Sequence, residues 1–311
     1  MAGNTAESGG ILYRDSHDGP LGEEREPPSL EQDGPDGSAA VPGESRVGRF
    51  TLDELTALDA PSRFDLVRPC DIKGILHSHS RYCDGAHTLE SMVRTAREIG
   101  LEYLGISDHF RSEVHRDGLD LEEVLAQRDE IEELRKELAG FEILQGVELD
   151  AESDGSLPLD AETLALFDYV IVSFPVNGKD DASLTERVVS AASHPRVTIL
   201  GKPVGDLMLR GQNGILDMEA VLAAAAKGRT AVEINANPEC PELDWTSCRR
   251  AQELGVAMAI SPDAHRAARL VDYRHGAQLA QSGGICCASI LNTLTAKQLR
   301  RYLLDGVMPE S

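Results

Sequence analysis

The stretch YLGISDH, residues 103–109, contains the pattern that decides the fold of this 311-residue chain. Its first four residues form a short apolar run, and polar Ser107, Asp108 and His109 follow it directly. A short apolar run that ends in turn-forming residues is typical of a strand buried on both faces, as in a parallel sheet. The same order of apolar strand and polar end recurs along the chain on both sides of this stretch.

Seven such segments alternate with helical periodicity from residue 71 onward. The pattern predicts strands at 72–76, 103–106, 141–147, 169–172, 197–200, 230–234 and 256–260. Between them it predicts helices, among them an amphipathic helix at 88–99 and a charged surface helix at 121–138. Strands that alternate with helices in this way indicate an α/β protein with a parallel sheet.

The polar strand ends distinguish two architectures that fit this alternation. An open, doubly wound sheet uses its strand ends mainly at one switch point, whereas a closed barrel brings all of them to one mouth. Every strand here leads into polar residues: HSH at 77–79, SDH at 107–109, ELD at 148–150, SFP at 173–175, GKP at 201–203, NANP at 235–238 and SPDAH at 261–265. We therefore predict a distorted (β/α)7 barrel of the TIM type.

Histidines and carboxylates are concentrated at these strand ends. His77 and His79 alternate along one strand, so both imidazoles can face the same ion. The other candidates are His109, His265, Asp84, Asp108, Glu148 and Asp263. Imidazole and carboxylate ligands suit Zn²⁺, Mn²⁺ or Fe²⁺, so the sequence predicts a metal site at the mouth. His115 stands in a polar context and is predicted to be a surface residue.

Overall composition excludes several classes of function. The chain has 53 acidic and 30 basic residues, and its formal net charge is −23. Such a charge repels polyanions and argues against passive coating of nucleic acid. The chain contains no run of 18 apolar residues, so no membrane span is expected. Its first residues lack the basic and apolar parts of a secretory signal. We expect a cytoplasmic protein.

The chain divides into three parts by composition. Residues 1–46 are rich in Gly, Pro and acidic residues and poor in branched aliphatics, which predicts a disordered acidic leader. This leader is either a solubilising extension or the binding segment for a protein partner. Residues 47–70 form a lead-in segment, and residues 71–311 are expected to form the barrel domain.

Several motifs resemble those of the PHP (polymerase and histidinol phosphatase) family. They are HSHSRYCDG at 77–85, GISDH at 105–109, GVE at 146–148, GKP at 201–203, EINANP at 233–238 and ISPDAH at 260–265. The likeness is greatest to the PHP domain that follows the polymerase in bacterial X-family DNA polymerases, and it does not include a polymerase portion. The resemblance implies a seven-stranded barrel with up to three metal ions and phosphoesterase activity.

Carried over motif by motif, the resemblance implies two complete ligand sets. The first metal would be held by His77, His79, Glu148 and Asp263, and the third metal by Asp84, His109 and His265. The second metal would need histidines where this chain has Pro175 and Lys202. Proline offers no side-chain ligand, and lysine is a cation at neutral pH, so we expect two ions rather than three.

The rim of the expected site also departs from the family pattern. Asp206 and Cys240 stand where the family often has arginines that hold phosphate, whereas Arg210 matches a family arginine. Arg111 follows the SDH motif and Asn235 lies in the NANP motif. We therefore assign Arg210, Arg111 and Asn235 as the candidate substrate-binding residues.

These residues support three hypotheses of function. The first is a metal-dependent hydrolase of phosphoester bonds, acting on a phosphomonoester or on a nucleic-acid 3′ end, with Asp263, Glu148 and Lys202 as catalytic residues. In the second, the barrel is catalytically degenerate and serves as a metal-binding or protein-interaction module. The third keeps a hydrolase but assigns it a bond other than a phosphoester. The first hypothesis predicts that Asp263→Asn abolishes turnover, and the second that this substitution changes only stability.

Overall fold

The computed structural model describes residues 65–175, 184–202, 216–237 and 243–309. The predicted leader at 1–46 and most of the lead-in segment lie outside the described residues. Three rim positions of the sequence analysis, Asp206, Arg210 and Cys240, also lie outside them. The predicted barrel domain begins within the first described range, so its strands and most of its candidate ligands can be compared with the sequence.

Seven parallel strands form one sheet in which each strand pairs with its neighbours in chain order. They are β1 (Gly74–Ile75), β2 (Tyr103–Ile106), β3 (Glu142–Asp150), β4 (Tyr169–Ser173), β5 (Ile199–Leu200), β6 (Ala231–Asn235) and β7 (Met258–Ser261). The prediction of a (β/α)7 barrel is confirmed. Strand β3 extends further than its apolar run suggested, and this extension carries Glu148 and Asp150 within the strand.

Helices cover the outside of the sheet. They are α1 (Leu89–Glu98), α2 (Leu121–Glu137), α3 (Ala161–Leu164), α4 (Leu184–Ala192), α5 (Met218–Gly228), α6 (Trp245–Glu253), α7 (Tyr273–Ser282) and α8 (Ala296–Asp305). A Thr or Asp side chain caps several amino ends; Asp120, for example, accepts a hydrogen bond from the Glu123 amide at the start of α2. Among the described residues, no helix is both long and apolar enough to cross a membrane.

Alternate strand residues supply two separate cores. In β4, Val170 and Val172 pack in the layer between strands and helices, whereas Tyr169 and Ile171 pack inside the barrel. The inner core also includes Leu299 and other residues from α8. The Tyr169 hydroxyl donates a hydrogen bond across the interior to the Leu76 carbonyl, next to the first predicted ligand. The polar mouth thus lies above an apolar, filled interior.

A single asparagine spans the seam between β1 and β7, which share no ladder. The Asn292 amide donates to the carbonyls of Gly74 and Ile260, both at 2.9 Å, and its side-chain oxygen accepts from the Ile260 amide at 2.6 Å. Further toward the mouth, Ser78 and Ala264 form a parallel bridge. These contacts nearly close the barrel and bring the loops after β1 and β7 together.

Candidate metal centre

Four side chains from three strand ends meet at the centre of the mouth: His77 and His79 from the end of β1, Glu148 from β3 and Asp263 from the loop after β7. His77 Nε2 lies 2.9 Å from Glu148 Oε2 and 3.4 Å from Asp263 Oδ1. His79 Nε2 lies 3.3 Å and 3.1 Å from the same two oxygens. Three of the four residues are completely or almost completely buried. The structure therefore brings together the first predicted ligand set.

The spacing of these atoms fits a metal ion. Ligand bonds of about 2.0–2.2 Å place neighbouring ligand atoms about 3.0–3.4 Å apart in octahedral or tetrahedral coordination. The four distances between imidazole nitrogens and carboxylate oxygens, 2.9 to 3.4 Å, match this spacing. Nearby, the Nδ1 atom of His109 is buried, has no hydrogen-bond partner among the described residues and lies 3.5 Å from Glu148 Oε2. The spacing of the four ligand atoms fits a cation held between them.

Glu233 orients the first histidine of the set. It lies on the inner side of β6, fully buried, and its Oε2 is 2.5 Å from His77 Nδ1. Ligating histidines commonly give their second nitrogen to a carboxylate in this way, which directs the other nitrogen to the metal. The sequence analysis did not single out Glu233. An acidic residue in the middle of an otherwise apolar strand is the signal that could have identified it.

A second group of potential ligands adjoins the first and shares His79 with it. Its other members are Asp84, His109 and His265. His265 Nε2 lies 3.3 Å from Asp84 Oδ2, while its Nδ1 lies 3.0 Å from the Asp263 carbonyl oxygen, which leaves Nε2 as the ligand atom. The side chains of Asp84 and His265 are 48% and 36% exposed, so this group is open to the mouth. The structure thus brings together the second predicted set as well.

Asp108 and Cys83 have a structural position beside this second group. The Asp108 carboxylate accepts hydrogen bonds from the Ser80 amide at 2.5 Å, the Ser80 hydroxyl at 2.6 Å and the Gln127 amide at 2.6 Å. The Cys83 thiol lies 3.0 Å from Asp108 and 3.5 Å from His79 Nδ1. Burial raises the pKa of Cys83 to about 12, so the thiol is protonated. Asp108 therefore anchors the loop that carries Asp84.

Burial and charge pairing shift the pKa values of several candidate ligands in opposite directions. Burial alone would lower the pKa of His77, but the carboxylates of Glu233, Glu148 and Asp263 outweigh it and raise that pKa to about 10. Burial lowers the pKa of His109 to about 3, so this imidazole is neutral and ready to ligate. Burial alone would raise the pKa of Glu148, but Lys202 and the histidines hold it well below its usual range.

Lys202 and Pro175 are the residues that stand where the resemblance implies histidines. The Lys202 ammonium lies 2.8 Å from Asp263 Oδ2 and 3.8 Å from Glu148 Oε1. These carboxylates outweigh the effect of burial, which would lower the pKa of Lys202, and hold that pKa well above its usual value. Lys202 (φ 42°) and Asp263 (φ 49°) both have left-handed backbones, which are uncommon for non-glycine residues. Pro175 offers only its carbonyl oxygen, which accepts from Arg187 Nη1 at 3.0 Å.

The candidate substrate residues are not all placed toward the ligands. The Arg111 guanidinium binds the Gly118 carbonyl, Asp120 and Glu123, each within 3.2 Å, so its nitrogens are engaged at the start of α2. The structure gives its assignment as a substrate residue no support. Asn235 is buried; its side-chain oxygen accepts from the Asn237 amide at 2.8 Å and its amide contacts Glu233. Arg210 lies outside the described residues.

His115 is more closely associated with the site than its sequence context predicted. It is partly exposed, but its ring also stacks on that of His109, with centroids 3.5 Å apart and planes within 8°. Its Nδ1 lies 3.0 Å from Asp150 Oδ2, and the side chain is 28% exposed. The hairpin-like loop at 112–118 folds back toward β3, a geometry that its polar composition does not reveal.

Comparison with known families agrees with this arrangement. A family model described as the PHP domain matches residues 76–236. The chain belongs to the PHP domain family. The matched part of this PHP domain contains the candidate ligands that follow β1 and β2, Glu148 on β3, Lys202 and Glu233, while Asp263 and His265 follow it in sequence.

Relatives of this PHP domain include a polymerase and several phosphatases. The chain is 32% identical over 240 residues to the DNA polymerase/3′-5′ exonuclease PolX of Bacillus subtilis, covering 77% of this chain but only 42% of that protein. It is 26% identical to a probable phosphatase of Thermoanaerobacter sp. (strain X514), covering 75% of this chain and 96% of that protein.

One solved structure is similar to this chain in its fold alone. A candidate histidinol phosphatase of Listeria monocytogenes superposes with a TM-score of 0.52 at 13% sequence identity, over 64% of this chain and 97% of that one. This similarity shows a shared barrel architecture.

Proposed function

We propose that this PHP domain is a metal-dependent hydrolase of phosphoester bonds that uses two divalent ions, Zn²⁺, Mn²⁺ or Fe²⁺. The observation that carries the proposal is the pair of adjacent ligand groups at the mouth, which share His79. His77, His79, Glu148 and Asp263 would hold one ion, and Asp84, His109 and His265 the other. Ions bound in such a pair activate water and neutralise the charge that develops during phosphoryl transfer.

Lys202 would act as the cation at the position of the missing second metal. Its ammonium is hydrogen-bonded to Asp263 and faces the unshared oxygen of Glu148, which also accepts from the Ser173 hydroxyl. In this position Lys202 orients both carboxylates and adds a fixed positive charge beside the phosphoryl group. The proposed catalytic residues are therefore Asp263, Glu148 and Lys202.

The proposed substrate is a small phosphomonoester or the 3′ end of a nucleic acid. The names of the relatives support both, since one is a 3′-5′ exonuclease and others are probable phosphatases. The net charge of −23 favours a small or terminal substrate over a long duplex. Arg210 and Asn235 remain the proposed substrate-side residues, Arg210 as the cation and Asn235 through the loop that it organises. The cytoplasmic location stays a prediction from the sequence.

The test of this function is hydrolysis of a generic phosphomonoester and of a 3′-ended oligonucleotide during titration with Mn²⁺. We expect turnover that Asp263→Asn lowers at least about 100-fold, because it removes the negative charge that binds an ion and pairs with Lys202. Asp129→Asn, an exposed carboxylate on α2, is the matched control and should keep full activity. Equal turnover by the wild type and Asp263→Asn would refute the proposal.

Lys202→Ala tests the role of the ammonium separately. Since Ala and Lys both carry a Cβ, the cost of the left-handed backbone is nearly unchanged, and the variant removes the ammonium together with its methylene chain and its hydrogen bond to Asp263. We expect about 100-fold lower kcat with an unchanged content of bound metal, measured by elemental analysis. Lys227→Ala, an exposed lysine of α5, serves as the control. Unaltered turnover by Lys202→Ala would exclude Lys202 from catalysis.

A degenerate, non-catalytic barrel is the alternative, and the Lys202–Asp263 ion pair is the observation that favours it. In that case the lysine simply replaces a lost cation and stabilises two buried carboxylates. A folded, metal-loaded protein without turnover on either substrate would support this alternative. The acidic leader would then be the segment to test for a protein partner.

A further inference from the structure

Four imidazoles form a continuous stack across the mouth. Ring centroids are 3.5 Å apart between His115 and His109, 4.7 Å between His109 and His79, and 4.3 Å between His79 and His265. Three of these rings belong to the proposed ligand groups, whereas His115 belongs to neither. His115 ends the stack on the side of β3, with its ring nearly parallel to that of His109.

His115 is itself fixed at both its backbone and its ring. Its Nδ1 lies 3.0 Å from Asp150 Oδ2, and the same oxygen accepts from the Ser112 hydroxyl at 2.6 Å. The Ser112 hydroxyl oxygen in turn accepts from the His115 amide at 2.9 Å. Asp150 lies two residues after Glu148 on β3, so it shares the inner side of that strand. The imidazole is thus tied to the strand that carries the shared carboxylate.

His109 differs from the other ligand histidines in how its ring is oriented. His77 has Glu233 on its Nδ1, and His265 has the Asp263 carbonyl on its Nδ1. The Nδ1 atom of His109 is buried and has no hydrogen-bond partner among the described residues. Its ring instead lies between the rings of His79 and His115. Stacking supplies the orientation that a hydrogen bond supplies elsewhere.

We propose that His115, held by Asp150 and Ser112, is a positioning residue that fixes the imidazole of His109 in its ligating orientation. Aromatic stacking restricts rotation of the His109 ring about its Cβ–Cγ bond, as outer partners of ligand histidines commonly do through hydrogen bonds. His115 makes this contribution through the face of its ring, so another flat ring should replace it. This inference rests on the metal site of the proposed function.

The experiment is calorimetric titration of the metal-free, full-length protein with Mn²⁺ alone. We expect His115→Ala to weaken the weaker of two binding steps 10- to 100-fold and His115→Phe to restore it to within about threefold of the wild type. His275→Ala, an exposed histidine of α7, is the control and should bind like the wild type. Thermal unfolding of each metal-free variant confirms that it is folded.

Two results would overturn the inference. If His115→Ala binds Mn²⁺ like the wild type, stacking does not position His109. If His115→Ala and His115→Phe are equally impaired, a nitrogen of His115 and not its ring face is what matters. Failure of the proposed function alone would give a different result. The wild type would bind Mn²⁺ and His115→Ala would weaken that binding as expected, but the wild type would hydrolyse neither phosphoester substrate.

Discussion

At the scale of single residues, the mouth depends on side chains that orient other side chains. His77 has a carboxylate on each ring nitrogen, Glu233 at 2.5 Å and Glu148 at 2.9 Å. Of these two carboxylates, only Glu148 also lies close to ring nitrogens of His79 and His109, so Glu148 is the one that faces both groups of candidate ligands. Glu233 lies on the opposite side of the His77 ring and orients that ring.

Glu233→Gln tests this support. Glutamine has nearly the same size, but its neutral oxygen is a weaker acceptor and holds the His77 ring less firmly. We expect the Kd for Mn²⁺ to rise 10- to 100-fold with little change in the secondary structure. Glu162→Gln, an exposed residue of α3, is the control. An unchanged Kd would show that Glu233 does not orient the ligand.

The sequence predicted the candidate ligands better than the residues that orient them. The seven residues predicted as ligands lie together because they follow or end strands whose ends must share one mouth. Asp150 and His115 were missed because their pairing depends on how the loop at 112–118 folds back, which the sequence pattern does not specify. Arg111 was assigned to the substrate from its proximity in sequence, but its partners Asp120 and Glu123 draw it away.

At the scale of elements, β1 and β7 share no ladder, and the seam between them is joined by Asn292 and by the isolated bridge between Ser78 and Ala264. Apolar periodicity predicted the strands and their order, but not how the first and last strands meet. Asn292 makes this contact from a 3-10 turn that has no sequence signature, 218 residues from its partner Gly74. Its side chain satisfies backbone groups that would otherwise be buried without partners.

Asn292→Ala should therefore be costly. It leaves two carbonyls and one amide of β1 and β7 unsatisfied, at about 1–3 kcal/mol each, so we expect the free energy of unfolding to fall by at least about 3 kcal/mol. Asn292→Asp keeps the acceptor for the Ile260 amide but loses both donors. Urea denaturation measures both variants, and a loss below about 1 kcal/mol for Asn292→Ala would contradict this role.

At the scale of the whole molecule, the barrel places both groups of candidate metal ligands at one end. The interior below the mouth is filled by an apolar core that includes Tyr103, Tyr169 and residues of α8. Above it, imidazoles and Lys202 counter the buried carboxylates, in a chain whose net charge is −23. Under the proposed function, Lys202 and the metal ions would supply, in this strongly acidic chain, the local positive charge that a small anionic substrate needs.

The rate of phosphomonoester hydrolysis, followed against the number of Mn²⁺ ions bound per chain, tests the central claim most directly. Under the proposal that Lys202 takes the place of the second metal, the rate should rise with the ions bound and reach its plateau at two ions per chain. A plateau at three ions, or no hydrolysis by the protein saturated with Mn²⁺, would contradict a phosphoesterase with a two-ion site.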